Sequence, residues 1–363
     1  MISTIPLGEL VTIRGGGTPS RTIPEYWNGS IRWATVKDFK SKELAETQES
    51  ITPAGIRDSA TNIIPAGSVI IPTRMAVGKA AISTIDMAIN QDLKALLPMG
   101  EVDARFLLHF MLSHGDYLES QAQGATVKGI KLDLLRSLPF PRLPRTEQRR
   151  IAAILDKADA IRRKREQALT LADDFLRSVF LEMFGDPLSN PLGLKKVPLG
   201  DIIKVSSGNG LVAKDMAADG IYPVYGGNGV NGYHSEYMFE DPQIVIGRVG
   251  AYCGAVHVST PKSWVTDNAL YIRTYKQPIN KTYLEWALRF ADLNQYAGRA
   301  AQPLISGGRI YEVEILVPGA ADQLSFHRIV EKHSILVSNL KSDAVNSGDL
   351  FAALSQRAFA GDL

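Results

Sequence analysis

Residues 146–161, TEQRRIAAILDKADAI, align without a gap with residues 321–336, ADQLSFHRIVEKHSIL, at an offset of 175. Gln148 pairs with Gln323, Ile154 with Ile329 and Lys157 with Lys332, and the same offset still holds at Phe184 and Phe359. A chain that writes one long segment twice, with a domain's length between the copies, is built as two copies of one plan. A second echo marks where the copies start. TIPLGELVTI (4–13) returns as KVPLGDIIKV (196–205), with Pro6, Leu7 and Gly8 recurring as Pro198, Leu199 and Gly200, now 192 residues on. The order is therefore domain, helix, domain, helix. The two offsets differ because the helical segments keep their length while the domains diverge.

The first helical segment follows PFPRLPRT, where Pro141 and Pro144 block an earlier start and Thr146 can cap. Gly185 and Pro187 stop it. Between them Ile154, Ala158, Ile161, Arg165, Ala168, Ala172, Phe175 and Val179 fall at alternating spacings of four and three, a heptad seam. Shifted by 175 the seam becomes Ile329, His333, Leu336, Leu340, Asp343, Ser347, Leu350 and Leu354. Nearly 40 residues at 1.5 Å each make a rod of roughly 55–60 Å. The two seams predict an antiparallel coiled coil, with Arg165 and Asp343 meeting near its middle to fix register. The other arrangement open to such helices is that each packs only on its own domain.

The 363 residues are too many for one ordinary core, and a composition 45% hydrophobic and 21% charged is that of a folded protein. No apolar run reaches membrane-span length, and MISTIPLGEL lacks the basic flank and apolar stretch of a signal peptide. A single cysteine, Cys253, excludes a disulfide framework and a cysteine-based zinc site, and the histidines show no metal-ligand spacing. A cytoplasmic protein is expected. Net charge is only +2; residues 1–143 carry 15 basic and 14 acidic side chains, and residues 196–318 carry 11 of each. Affinity for a polyanion would have to come from local clusters.

Both intervening domains read as short strands, turns and a helix. SVIIPTRMAVGKAAIS (68–83), AINQDLKALLP (88–98) and DARFLLHFMLSHGDYLESQA (103–122) are matched by QIVIGRVGAYCGAVHV (243–258), NALYIRTY (268–275) and INKTYLEWALRFADLNQYA (279–297). This alignment sets Arg74 against Arg248 and Asn90-Gln91 against Asp267-Asn268. The plan is shared and the loops are rewritten, as in two related readers of different targets.

The alternation of two variable domains with two similar long helices resembles the specificity subunit of type I restriction–modification systems, the HsdS family. So do EQRRIAAILDKADAI, SVFLEMFGDP, the opening IPLGELVTIRGGGTPS and YWNGSIRWATVKDF, and the resemblance spans essentially the whole chain. It implies an α+β fold: two α/β target-recognition domains separated by two long antiparallel helices forming a coiled coil, a pseudo-twofold internal repeat. The expected boundaries are 1–143 and 187–319 for the recognition domains, and 144–186 and 320–363 for the spacer helices. Each domain would read one half of a bipartite double-stranded DNA target. The helices would set the spacing and dock two methyltransferase subunits, which hold S-adenosylmethionine, and restriction subunits would join the larger assembly. The second helix is the more polar, with Gly348 inside it, which puts the stronger docking expectation on the first.

A catalytic role is not expected. No proline is followed by proline or aspartate, which removes an Asn-Pro-Pro-aromatic methyltransferase motif and the opening of a PD…ExK nuclease site. RGGGTP and SSGNG lack the Gly-Lys-Ser/Thr of a phosphate loop. DNA readers need donors and acceptors on loops, Arg or Lys toward guanine and Asn or Gln toward adenine. In the first domain these are Arg14, Thr18, Ser20, Arg21, Lys37, Arg74, Lys79, Lys128 and Lys131. In the second they are Ser207, Asn209, Tyr225, Asn228, Arg248, Tyr252, Asn268 and Arg309. Trp27 and Trp33 read as core rather than base-stacking residues. The basic run Arg162, Arg163, Lys164 on the first helix would touch spacer phosphates without reading bases. Two other functions fit the pattern: the specificity subunit of another methylating system, such as a type IIB-like enzyme, and a helical-hairpin scaffold for proteins or glycans.

Overall fold

The computed structural model describes residues 3–124, 128–216, 219–298 and 303–363. It divides into two compact units, residues 1–166 with 342–363, and residues 167–341. The division runs through both long helices, Arg145–Phe184 and Ala320–Ala360, which are 40 and 41 residues long. Each unit therefore holds one domain, part of the first helix and part of the second.

In the first unit, strands Val11–Gly15, Leu93–Pro98, Val69–Pro72, Ala81–Ser83 and Glu43–Leu44 form a five-stranded sheet in that order. A four-stranded sheet orders Glu49–Ile51, Trp27–Ala34, Met87–Ile89 and Ile63–Ile64. In the second unit the same positions are taken by Ile203–Ser207, Ala269–Tyr275, Ile244–Gly247 and Val256–Val258. A three-stranded sheet of Gly229–His234, Tyr222–Gly226 and Trp264–Val265 stands beside it. The duplication extends to register: Ala34 pairs Ile89 in a parallel bridge, and Tyr225 pairs Val265 in the same way. The central strands are short runs such as VIIP and IVIG, buried along their whole length. Such uniformly apolar strands are sheet interiors covered on both faces.

A buried glutamine ties each domain to its long helix. Gln148 Oε1 accepts from the Asp103 N–H at 2.9 Å, and its amide donates to the Leu143 carbonyl at 2.9 Å. Gln323 repeats the device, accepting from the Asn280 N–H at 2.8 Å and donating to the Pro318 carbonyl at 2.9 Å. Asp103 and Asn280 are themselves the N-caps of the domain helices Ala104–Ser113 and Lys281–Phe290. A Gln148→Leu substitution strands these polar groups away from water. It is expected to lower stability by about 1–3 kcal/mol, read by urea unfolding, with Gln323→Leu behaving alike.

Within each unit the two helical segments run antiparallel. In the first, Arg150 donates to the Leu363 carbonyl at 2.9 Å, and Arg165 donates to the Asp343 carbonyl at 2.8 Å. In the second, His333 Nε2 meets the Ala172 carbonyl at 2.6 Å, and Phe180 packs on Phe326. Arg165 and Asp343 thus do meet, through the aspartate's main chain rather than its exposed carboxylate.

The seam itself needs correction. Ala158, Arg165, Ala172, Val179, His333, Leu340, Ser347 and Leu354 lie in the buried or half-buried stripe. Ile161, Phe175, Leu336 and Leu350, assigned to the other row, are exposed, as is Asp343. That row is instead Leu155, Arg162, Leu169 and Leu176 on the first helix and Val330, Val337, Ala344 and Phe351 on the second. Ile154, Ala168 and Ile329 are half buried at its flank. Each helix is covered by a domain as well as by its partner, so its apolar stripe is wider than a heptad seam, and spacing alone could not choose the row.

Each core closes around aromatic residues the repeat offset relates. Phe359 packs on Phe106 and Phe110 in the first unit. Phe184, its counterpart, packs on Tyr283 and Phe326 in the second.

Candidate nucleic-acid interface

The glycine loops are pressed onto backbone. The Gly17 N–H donates to the Ile89 carbonyl at 3.0 Å, and the Trp33 indole donates to the Gly17 carbonyl at 3.0 Å. In the second unit Asn209 N–H donates to Val265 at 2.9 Å, and the Trp264 indole donates to the Asn209 carbonyl at 3.1 Å. A Cβ on Gly16 would lie 1.9 Å from the Ile89 oxygen, and one on Gly208 2.1 Å from the Val265 oxygen, so neither position admits a side chain. Trp33 is accordingly core, as expected; Trp27 is half buried against it, their ring centroids 5.1 Å apart.

Two more main-chain bonds complete a shared scaffold. Thr73 N–H donates to Asp92 at 2.8 Å, and Ile130 N–H donates to Thr73 at 3.0 Å. Arg248 N–H donates to Asn268 at 3.0 Å, and Ile305 N–H donates to Arg248 at 2.8 Å. In each unit four loops therefore meet: 15–18, 73–75, 90–92 and 128–131 in the first, and 207–210, 248–250, 266–268 and 303–306 in the second.

This scaffold shifts the residue correspondence by one. Arg248 occupies the place of Thr73, Arg74 that of Val249, and Asn90-Gln91 that of Thr266-Asp267. The two arginines are not equivalents. A shift of one residue in extended chain points the side chain to the opposite side. Arg74 is accordingly exposed, with Asp92 at 3.8 Å, whereas Arg248 is half buried. The Arg248 guanidinium donates to Ser207 Oγ at 3.2 Å and to the Asp267 carbonyl at 3.3 Å, and its buried Nε has no partner.

In the first unit the scaffold shapes an open cleft of about 760 Å³. Arg74, Lys94, Lys131, Gln91, Gln121 and Gln123 line it, and Thr18 hydrogen-bonds Gln91 at its edge. Gln91 entered the sequence argument only as a repeat anchor, and Lys94, Gln121 and Gln123 not at all. Lys94 sits on a strand that reads as core, and the glutamines follow a helix that reads as packing. Burial depresses the Lys94 ammonium, against the pull of Asp92. Its Nζ donates to the Gln91 carbonyl at 2.8 Å, which holds it at the cleft. Lys128 is exposed on the adjoining loop, its carbonyl accepting from Met75 N–H at 3.1 Å. Thr126 and Val127 of the same TVKGIK stretch lie outside the described residues.

Arg14, Ser20, Lys37 and Lys79 are exposed but do not line the cleft. Arg21 is held by Glu49, one bond measuring 2.9 Å, and stacks 3.8 Å from the Trp27 ring centre.

In the second unit the scaffold gathers Ser207, Asn209, Arg248 and Asn268 on three of its four loops. Asn228, Tyr252 and Arg309 are exposed. Tyr225 must be withdrawn from the DNA-facing set. It is 6% exposed, stands where the first unit has Ala34, and accepts from the Thr260 N–H at 3.1 Å. Its strand carries it into the sheet interior although GGN turn residues follow directly.

The basic run on the first helix is mostly spoken for. Asp159, 1% exposed, lies 2.9 Å from Arg162, 3.1 Å from Arg163 and 3.0 Å from Lys42 of the domain. Arg162 also reaches Glu166 at 2.7 Å. Of the proposed phosphate contacts, Lys164 alone is exposed with no ion-pair partner among the described residues.

The model of the type I restriction modification DNA specificity domain family matches residues 2–171 and 191–342 of this chain. The EcoprrI type I restriction enzyme specificity subunit of Escherichia coli is 26% identical over 93% of this chain and 89% of its own length. The EcoR124I/EcoR124II specificity subunit, also from E. coli, is 34% identical over 43% of this chain and 40% of its own. In fold, the crystal structure of a type I restriction–modification S subunit from M. genitalium matches with a TM-score of 0.64. That likeness covers 98% of this chain and 96% of the other at 16% identity.

Proposed function

We propose, since this chain belongs to the type I restriction modification DNA specificity family, that each of its two domains reads one half of a bipartite duplex target. The chain is a specificity subunit of a type I restriction–modification system. The observation that carries the two-reader proposal is the four-loop scaffold: both units repeat its backbone bonds and fill it with different side chains. Arg74, Lys94 and Lys131 would meet guanine edges or phosphates, and Gln91, Gln121 and Gln123 adenine edges; in the second domain Arg248, Asn209 and Asn268 take those parts.

In this reading the chain catalyses nothing itself. It directs two methyltransferase subunits carrying S-adenosylmethionine, with restriction subunits in the larger complex, and works in the cytoplasm on double-stranded DNA. Among the described residues no helix is long and apolar enough to cross a membrane. The exposed apolar side chains of the helices, Ile161 and Leu350 in one unit and Phe175 and Leu336 in the other, support docking of the methyltransferases there. The helices also set the spacer, so lengthening both would change the gap and not the half-sites.

Base-resolved methylome sequencing with and without the gene tests the proposal. A bipartite methylated motif present only with the gene is the expected result; an unchanged methylome would refute it. For the helix contact, Lys164→Glu is expected to flatten the salt slope of binding by about one phosphate contact, ~0.9 in log–log slope or more, with the target unchanged. An unaltered slope in a salt titration would remove Lys164 from the DNA.

A further inference from the structure

We infer that Met75 is a base-contacting residue of the first domain, reading the C5 methyl group of a thymine; this rests on the DNA-reading function proposed above. Met75 has φ +66°, in the left-handed region that L-residues avoid. Its counterpart is Gly250, with φ +76°. The two hold the same place, since Met75 N–H donates to Lys128 at 3.1 Å and Gly250 N–H to Pro303 at 3.0 Å. A Cβ built on Gly250 would meet nothing within 4 Å, so conformation and not space is what favours glycine at this turn.

The first domain nonetheless keeps a methionine there. Its side chain is 58% exposed, directly beside the cleft residue Arg74, so burial does not compensate the strain. The second domain meets the same need from other positions. It exposes Tyr252 (52%) and Leu304 (42%), where the first domain has the small Ala76 and the side-chain-free Gly129. Each reading face thus presents large apolar surface at this turn, carried by different residues. Strain held without a packing return is characteristic of functional positions.

A thioether side chain offers no donor and only a weak acceptor. Among the groups that base pairs display in the major groove, the thymine methyl is the one it complements. The neighbouring Arg74 and Lys131 supply charge, and Met75 supplies the apolar readout between polar ones.

The test uses the full chain assembled with its methyltransferase subunits and duplexes bearing the mapped target. Each thymine of the half-site read by the first domain is replaced in turn by deoxyuridine, which lacks the methyl group. Wild type is expected to bind about three- to fivefold more weakly at one such position, the worth of one buried methyl group. Met75→Gly should be indifferent to that replacement, while Met75→Leu, still apolar, should keep the sensitivity. Met75→Gly should also melt higher, because the left-handed strain is released, which separates lost reading from lost folding. Equal uracil sensitivity in wild type and Met75→Gly, or none in wild type, would overturn the assignment. If wild type has no bipartite target at all, the underlying function has failed rather than the role of Met75 alone.

Discussion

Exchanging residues 1–143 for the corresponding domain of another family member is expected to replace one half of the methylated motif and leave the other half intact. The cause is the independence of the two reading faces. Every bond that builds the first cleft, from Gly17 to Ile89, Thr73 to Asp92 and Ile130 to Thr73, lies within the first unit. The second face is closed in the same way by Asn209, Arg248 and Ile305. Each wrong base pair costs about 1–3 kcal/mol, so two altered pairs in a half-site already approach a thousandfold in affinity. Methylome sequencing of the chimera reads the result directly. A motif altered in both halves would mean that the two faces are coupled.

Asp159→Ala should be among the most damaging single changes in the first unit. The carboxylate is buried and answers Lys42, Arg162 and Arg163 at once. Deleting it leaves the half-buried Lys42 without its carboxylate and takes a partner from Arg162 and Arg163, a loss of about 3 kcal/mol, the low end for a broken buried pair because the cations reach solvent, whereas Arg163→Ala, removing an exposed partner, should cost far less. Burial alone would raise the Asp159 carboxyl, but hydrogen bonds and charge from Lys42 and Arg162 outweigh it and hold it below the ordinary aspartate range. Burial lowers the Lys42 ammonium even beside this carboxylate, with Arg162 and Arg163 pushing the same way. The pH consequence follows from the sign. With the folded value below the unfolded one, the stabilisation is complete above the ordinary aspartate pKa of about 3.9 and is lost as pH falls through the folded value. Wild type should therefore lose melting temperature below about pH 4 more steeply than Asp159→Ala. Parallel acid limbs would show that this carboxylate is not the one titrating.

The methyl-group experiment on Met75 and the domain exchange depend on each other only through the target. The exchange says which half-site belongs to the first domain, and the uracil series then asks which base of it the strained turn touches.

What the sequence alone determined is whatever repeats along the chain. The two offsets, 192 and 175, place the domains and helices in order, and they hold in the matching close backbone approaches of Gly16 and of Gly208 and in the matching side-chain hydrogen bonds of Gln148 and of Gln323. Helix length and punctuation are local, written in Pro144 before Arg145 and Gly185 after Phe184, and so they are legible without a fold. The tertiary structure decided the rest, because it depends on which face a side chain takes once distant strands pair. Matching arginine to arginine put Arg74 opposite Arg248, but the bonds to Asp92 and Asn268 set the register one residue away. The same pairing buried Tyr225 and brought Lys94 and Gln91 to the cleft. On the helices, the packing domain widened the apolar stripe beyond a heptad seam and left Phe175 and Leu350 outside it. Periodicity is a property of neighbours in sequence; facing is a property of neighbours in space, and at a period of two a single residue's slip reverses it.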